Sequence, residues 1–171
     1  MKVVRIIASF LYVVTKIVAF FYLLVAIYAL INCVFEGPFF EIMEKNRYAI
    51  NFPFTKQHFL LGSEYTVAYV SEMVLGLAIY GLFFLVLSSV FKTFKQERLF
   101  TVDGLKNLKQ FYQFNLILYP ISAIIWSLFS VEDFPFFAMI VAHAIMGIFI
   151  FFMAAIFQQG LNLQNEQDLY I

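Results

Sequence analysis

Four long apolar runs constrain this chain more than any other feature. They are Ile17–Phe35, Val67–Phe91, Phe111–Val131 and Phe134–Phe157, and Glu72 is the only charged residue inside them. A hydrocarbon layer about 30 Å thick is crossed by roughly 20 helical residues, so each run is long enough to span it. Apolar residues lie all round these helices rather than on one stripe, as expected where lipid is the solvent. A helix satisfies its own backbone there, whereas an isolated strand does not. The reading is an all-α, integral membrane four-helix bundle forming a single domain over residues 1–171. Its spans fall at about 12–35, 66–91, 110–131 and 134–157, with a linker at 92–109 and a tail at 158–171.

Composition agrees with a lipid-facing surface. Charged residues make up 13% of the chain and apolar ones 63%, against about 25% charged in soluble domains. The 24 Phe and 10 Tyr exclude a disordered chain. A net charge of zero implies no bulk attraction to nucleic acid, and no direct nucleic-acid binding is expected. The single cysteine, Cys33, excludes an intramolecular disulfide and a cysteine-based metal cluster. Lys2 and Arg5 give the first span a basic start, yet its apolar stretch continues to Phe35, beyond a secretory h-region of roughly 7–15 residues. Leu30-Ile31-Asn32-Cys33 is superficially like a lipoprotein cleavage site, but Asn32 stands where Gly, Ala or Ser is needed. An uncleaved anchor is expected.

Orientation follows from Lys and Arg, which are retained on the cytoplasmic side. Lys2, Arg5, Lys16, Lys92, Lys95, Arg98, Lys106 and Lys109 belong to one side; Lys45, Arg47 and Lys56 belong to the other. The link with Glu132 and Asp133 has no basic residue. Both termini and the linker are therefore expected in the cytoplasm, with Glu36–Glu64, about 29 residues, outside. Gly37-Pro38 ends the first span. Within the outer loop, Arg47–Phe54 partly alternates apolar and polar residues, as an extended segment would. The loop reads as an aromatic cap at the membrane interface, or else as a lid or partner surface.

In the linker, Thr101 is a good N-cap for a helix opening at Val102. Phe100 and Leu105 stand at staple positions, and Asp103 suits the positive helix end. From Leu105 the helix is expected to run unbroken into the third span, where Pro120 removes a backbone donor and introduces a kink. Lys106 and Lys109 read as positive-inside anchors or as a basic docking surface.

No pattern for catalysis is present. The seven glycines form no phosphate loop, no G-x-S-x-G elbow occurs, and His58 and His143 lack metal-pair spacing. No catalytic residue, metal site or cofactor is expected. The serines of the spans read as small packing residues, and Lys16 as snorkelling to the inner headgroups. Asn115 is a further polar residue, near the inner end of span three. Intramembrane ionisable groups are site candidates by default. Glu72 and His143 lie at similar counted depths in parallel spans, each followed four residues later by a glycine, Gly76 and Gly147. A shared polar site is therefore a candidate, against separate burial with Glu72 bonded to a serine or at the headgroups.

The tail, Phe157 to Ile171, resembles the bacterial membrane-protein family catalogued as domain of unknown function 2975. Phe157, Gly160, Leu163, Glu166, Asp168, Leu169 and Ile171 match its closing pattern, while Tyr170 replaces the usual Thr. Phe100-Thr101 matches a second feature, with Gly104 where Asn is common and Gln158-Gln159 in place of a more charged step. The resemblance implies four spans and no assigned activity. Such genes often sit beside one for a small helix-turn-helix regulator, which implies that kind of protein partner.

The expected function is thus that of a small, non-enzymatic accessory or regulatory protein of a bacterial plasma membrane. It would act through a docking surface formed by Phe100, Thr101, Lys106, Lys109, Gly160, Leu163, Glu166, Asp168 and Leu169. Gly160 would end the fourth helix in a left-handed conformation. The tail would then fold onto the linker, with Glu166 and Asp168 near Lys106 or Lys109. The alternative is a small permease or ligand-binding membrane protein using Glu72 and His143. Oligomeric state is open at this stage.

Overall fold

The computed structural model describes residues 2–130 and 134–168, less the side chains of Phe129 and Asp168. Val131, Glu132, Asp133, Leu169, Tyr170 and Ile171, singled out above, lie outside the described residues. Four helical stretches are long and apolar enough to cross a membrane, as expected. The first is α1, Lys2–Phe35, and the second α2, Val67–Lys95. The third is a composite of α3, Val102–Gln113, a π-helical segment, Phe114–Leu118, and α4, Tyr119–Phe129. The fourth is α5, Phe136–Asp168.

The chain departs from an all-α fold in the loop between α1 and α2. There β1 (Phe40–Ile42), β2 (Tyr48–Asn51) and β3 (His58–Gly62) form an antiparallel sheet with β2 in the middle. β2 falls within the segment expected to be extended, and all four of its residues are buried. Tyrosine hydroxyls tie this end of the molecule together. Tyr28 of α1 donates to the Asn51 carbonyl at 2.7 Å, and Tyr65 donates to the Cys33 carbonyl at 2.7 Å. The loop is therefore a folded cap on the α1–α2 pair, built on aromatic contacts such as Phe40–Tyr65 at 4.8 Å.

α1 packs along α2 over its length and has little contact with the other spans. Its buried face is a seam of small residues, Ala8, Thr15, Ala19, Ala26, Ala29 and Cys33. Small side chains let two helices approach closely where lipid supplies no hydrophobic drive for association. Leu23 uses that closeness, sitting where a Cβ on Gly81 would lie 2.7 Å from it.

The second half of the molecule is built on α2, the composite helix and α5. Phe83, Val90, Leu105, Leu108, Phe111, Phe114, Tyr119 and Phe157 form its core. Thr101 caps α3 as expected, its Oγ1 accepting from the Gly104 N–H at 3.0 Å. Gly104, Leu105, Leu108 and Phe111 then fall on one buried stripe at helical spacing. The composite helix continues into the membrane, but through a π segment that spacing alone does not show. The cause is Pro120: it has no N–H to offer and its ring crowds the carbonyl four residues earlier. Widening the preceding turn, with the Tyr119 N–H bonded to the Phe114 carbonyl five residues back, accommodates that ring.

The molecule has two distinct ends. At one, Arg5 donates to the Glu97 carbonyl at 3.0 Å and pairs with its carboxylate at 3.8 Å. Lys92, Lys95, Arg98, Lys106 and Lys109 belong to this basic end, and Lys16 reaches back toward it by donating to the Tyr12 hydroxyl at 3.2 Å. The sheet occupies the opposite end.

Candidate functional site

Glu72 sits in the second turn of α2 at the sheet end, 7% exposed. Its Oε1 accepts from the Trp126 indole N–H at 3.0 Å and from the Ser130 hydroxyl. Gly76, one turn deeper on α2, makes the contact possible: a Cβ there would lie 2.7 Å from the Trp126 ring. The other carboxyl oxygen, Oε2, is buried with no hydrogen-bond partner among the described residues. Two clefts flank the Glu72–Trp126 bridge, because α4 has only slight contact with α2. One, of about 310 Å³, is lined by Ser71, Leu75, Ile79, Ser122 and Ile125. The other, of about 320 Å³, is aromatic, with Tyr22, Tyr69, Tyr80 and Phe134 around Glu72 and Trp126.

His143 of α5 is 5% exposed and belongs to a different network. Its Nδ1 lies 2.7 Å from Asn115 Oδ1, while Asn115 Nδ2 donates to the Phe111 carbonyl at 2.8 Å. The second bond commits the amide nitrogen to a carbonyl, so the oxygen faces the imidazole and Nδ1 must carry the proton. Asn115 lies in the π segment, and its side chain thereby fixes both the widened turn and the histidine tautomer. The imidazole stacks on Tyr119, with centroids 3.4 Å apart, and meets the Phe83 ring edge-on at 5.2 Å. Gly147 plays for this pair the part that Gly76 plays for the other: a Cβ there would lie 3.1 Å from Asn115 Cβ.

The shared Glu72–His143 site is therefore not what the structure builds. Each residue bonds to the composite third span, at Trp126 and Ser130 in one case and Asn115 in the other. Those attachment points are 11 residues apart, roughly 16 Å at about 1.5 Å per residue. Depth counting fails because the spans start at different levels. Phe134 and Phe136, at the entrance to α5, already contact Trp126 at 5.9 and 5.6 Å, level with Glu72. His143 lies seven residues deeper than Phe136. The glycine four residues after each polar residue does mark a close approach, but the approaching helix is the third span in both cases. The serine bond weighed for Glu72 is present, to Ser130. Trp126 carries no periodic or charge signal in the sequence. Asn115 is legible as polar but not as a partner.

At the basic end the structure brings Phe100 and Gly160 together. The Phe100 ring occupies the space above Gly160, where a Cβ would meet it at 2.7 Å, and packs edge-on against Phe157 at 5.3 Å. The tail does not fold back, however. α5 runs helical through Gly160 to Asp168, and no described glycine has a positive φ. Gly160 thus serves close approach, not helix termination. Lys106, Lys109 and Glu166 are exposed, and among the described residues no ion pair joins them. Leu163 is 61% exposed, so it contributes surface rather than packing. Among the described residues no three His, Cys, Asp or Glu side chains gather at one point. Comparison with family models, with curated proteins and with solved structures finds no match to this chain.

Proposed function

We propose that this is a non-enzymatic accessory or regulatory protein of a bacterial plasma membrane, crossing it four times with its basic end in the cytoplasm. It works by binding a soluble protein partner at that end. The observation that carries this reading is the seating of Phe100 on Gly160, which holds α3 against α5 where α5 leaves the apolar layer. A short amphipathic helix and a polar helical extension are thereby joined into one rigid platform. Its exposed side chains include Val102, Lys106, Lys109 and Leu163. Preorganised surfaces bind with less ordering cost than mobile tails. Two lysines beside apolar side chains suit a partner presenting acidic and apolar groups together. The excess of Lys and Arg at this end supports the cytoplasmic assignment. The resemblance of Phe100-Thr101 and of the tail to the domain of unknown function 2975 family supports a small helix-turn-helix regulator as the partner. One pair of polar residues in the spans supports a non-enzymatic role, since Asn115 and the Nδ1 of His143 are engaged in bonds to each other and to the backbone.

A photo-crosslinking amino acid at Leu163, and separately at Leu61 in the sheet, tests the proposal in cells. The expected result is one discrete protein adduct from Leu163, lost with Lys106→Glu/Lys109→Glu, and none with a cytosolic protein from Leu61. No adduct from Leu163, or one indifferent to charge reversal, would remove the reading.

A further inference from the structure

We propose that Glu72 forms a binding site, within the aromatic cleft beside Trp126, for a protonated amine carried on a compact apolar body. The inference is independent of the partner surface at the basic end. It starts from an incomplete hydrogen-bond inventory. Glu72 is buried, and among the described residues the donors that reach it, Trp126 and Ser130, converge on Oε1, while Oε2 has none. A buried acceptor without a donor is costly, more so on a carboxylate. Among the described residues no Lys, Arg or His forms an ion pair with Glu72. An intramembrane acid with neither donor nor counter-charge on one oxygen is an unfilled half of a pair.

The surroundings identify the other half. Tyr22, Tyr69, Tyr80, Trp126 and Phe134 line the cleft that Glu72 borders. Aromatic faces attract cations, most strongly when both are removed from water. Apolar walls from Met73 and Leu77 suit a hydrocarbon body, and about 320 Å³ is small for a drug-sized site but large enough for a cage or a single ring system. The ammonium pairs with the Glu72 carboxylate at the cleft wall, its charge faces the rings, and its apolar part fills the cleft. An anion would be repelled by the carboxylate, and a neutral hydrocarbon would bring it no counter-charge. The same ammonium chemistry occurs on aminophospholipid headgroups.

The test uses the full chain in detergent and reads Trp126, the only tryptophan. 1-Adamantylamine is titrated against 1-adamantanol, its neutral counterpart of the same shape. A saturable fluorescence change is expected, about tenfold tighter for the amine, as a cation desolvated against aromatic rings requires. Glu72→Gln should abolish that preference. Leu77→Phe, which fills the aromatic cleft and leaves the carboxyl in place, should weaken the amine, while Ile125→Phe in the other cleft should not. Equal binding of amine and alcohol would overturn the proposal, as would undiminished preference in Leu77→Phe. Doping the micelles with phosphatidylethanolamine but not phosphatidylcholine should lower amine affinity if a headgroup is the resident occupant. Unchanged affinity assigns the site to a free amine.

Discussion

The separation of the two intramembrane networks makes a sharp prediction about energetic coupling. Asn115 is fully buried and bonds both His143 and the Phe111 carbonyl. Asn115→Ala leaves the Nδ1–H of His143 and one carbonyl without these partners and opens a cavity. His143→Ala leaves Asn115 Oδ1 unpaired and removes the ring stacked on Tyr119. Interhelical hydrogen bonds in membrane proteins are worth about 0.6 kcal/mol on average and about 1.7 at most. The bond is short and enclosed, and it also braces the π segment, so the Asn115/His143 coupling belongs in the upper half of that range. The Glu72→Ala/His143→Ala cycle should instead be additive within about 0.5 kcal/mol, as for sites more than about 10 Å apart with no shared partner. Unfolding in mixed micelles of graded denaturing-detergent content measures all the variants. Additive losses for Asn115 and His143, or coupling between Glu72 and His143, would refute the arrangement.

Gly160→Leu should force Phe100 from its seat, lowering stability by about 1–3 kcal/mol as overpacking does, and speed protease cleavage between Lys95 and Thr101. Thr101→Ala, which deletes the α3 cap, should cost about 1 kcal/mol, with Thr101→Ser retaining most of it in the same unfolding assay. Burial in the sheet pushes the Tyr48 hydroxyl up to about 12 from 10.0. The unfolded cap therefore ionises first on going alkaline: the stabilisation is complete below pH 10.0 and is lost as pH rises through about 12. Limited proteolysis of the Phe40–Gly62 segment across that window should show a steeper loss of protection for the wild type than for Tyr48→Phe.

The parts of the fold written in composition and run length were legible beforehand. Four apolar runs specify four spanning helices, and Thr101 with Phe100 marks the start of α3, because lipid solvation and capping act locally. The sheet was only half legible. Arg47–Phe54 shows the alternation of β2, but β1 and β3 are three and five residues long and depend on pairing with it. The π segment follows from Pro120, whose presence foretold a distortion without its form. Partner choice was not legible at all. Whether Glu72 meets His143 or Trp126 depends on how far each span is shifted along its neighbour, and apolar runs carry no such ruler. The Ala8-to-Cys33 seam shows the same limit, since alanines in a lipid-facing helix look alike until the facing helix is known.

The central claim is a four-span chain whose basic end, with the α3–α5 platform, faces the cytoplasm. Single cysteines at Glu44, Lys106 and Asn165 in a Cys33→Ser background, treated with a membrane-impermeant maleimide in intact cells, test it most directly. The account predicts labelling at Glu44 alone, with Lys106 and Asn165 reacting only after the membrane is opened. Labelling of Lys106 and Asn165 in intact cells, with Glu44 protected, would contradict it.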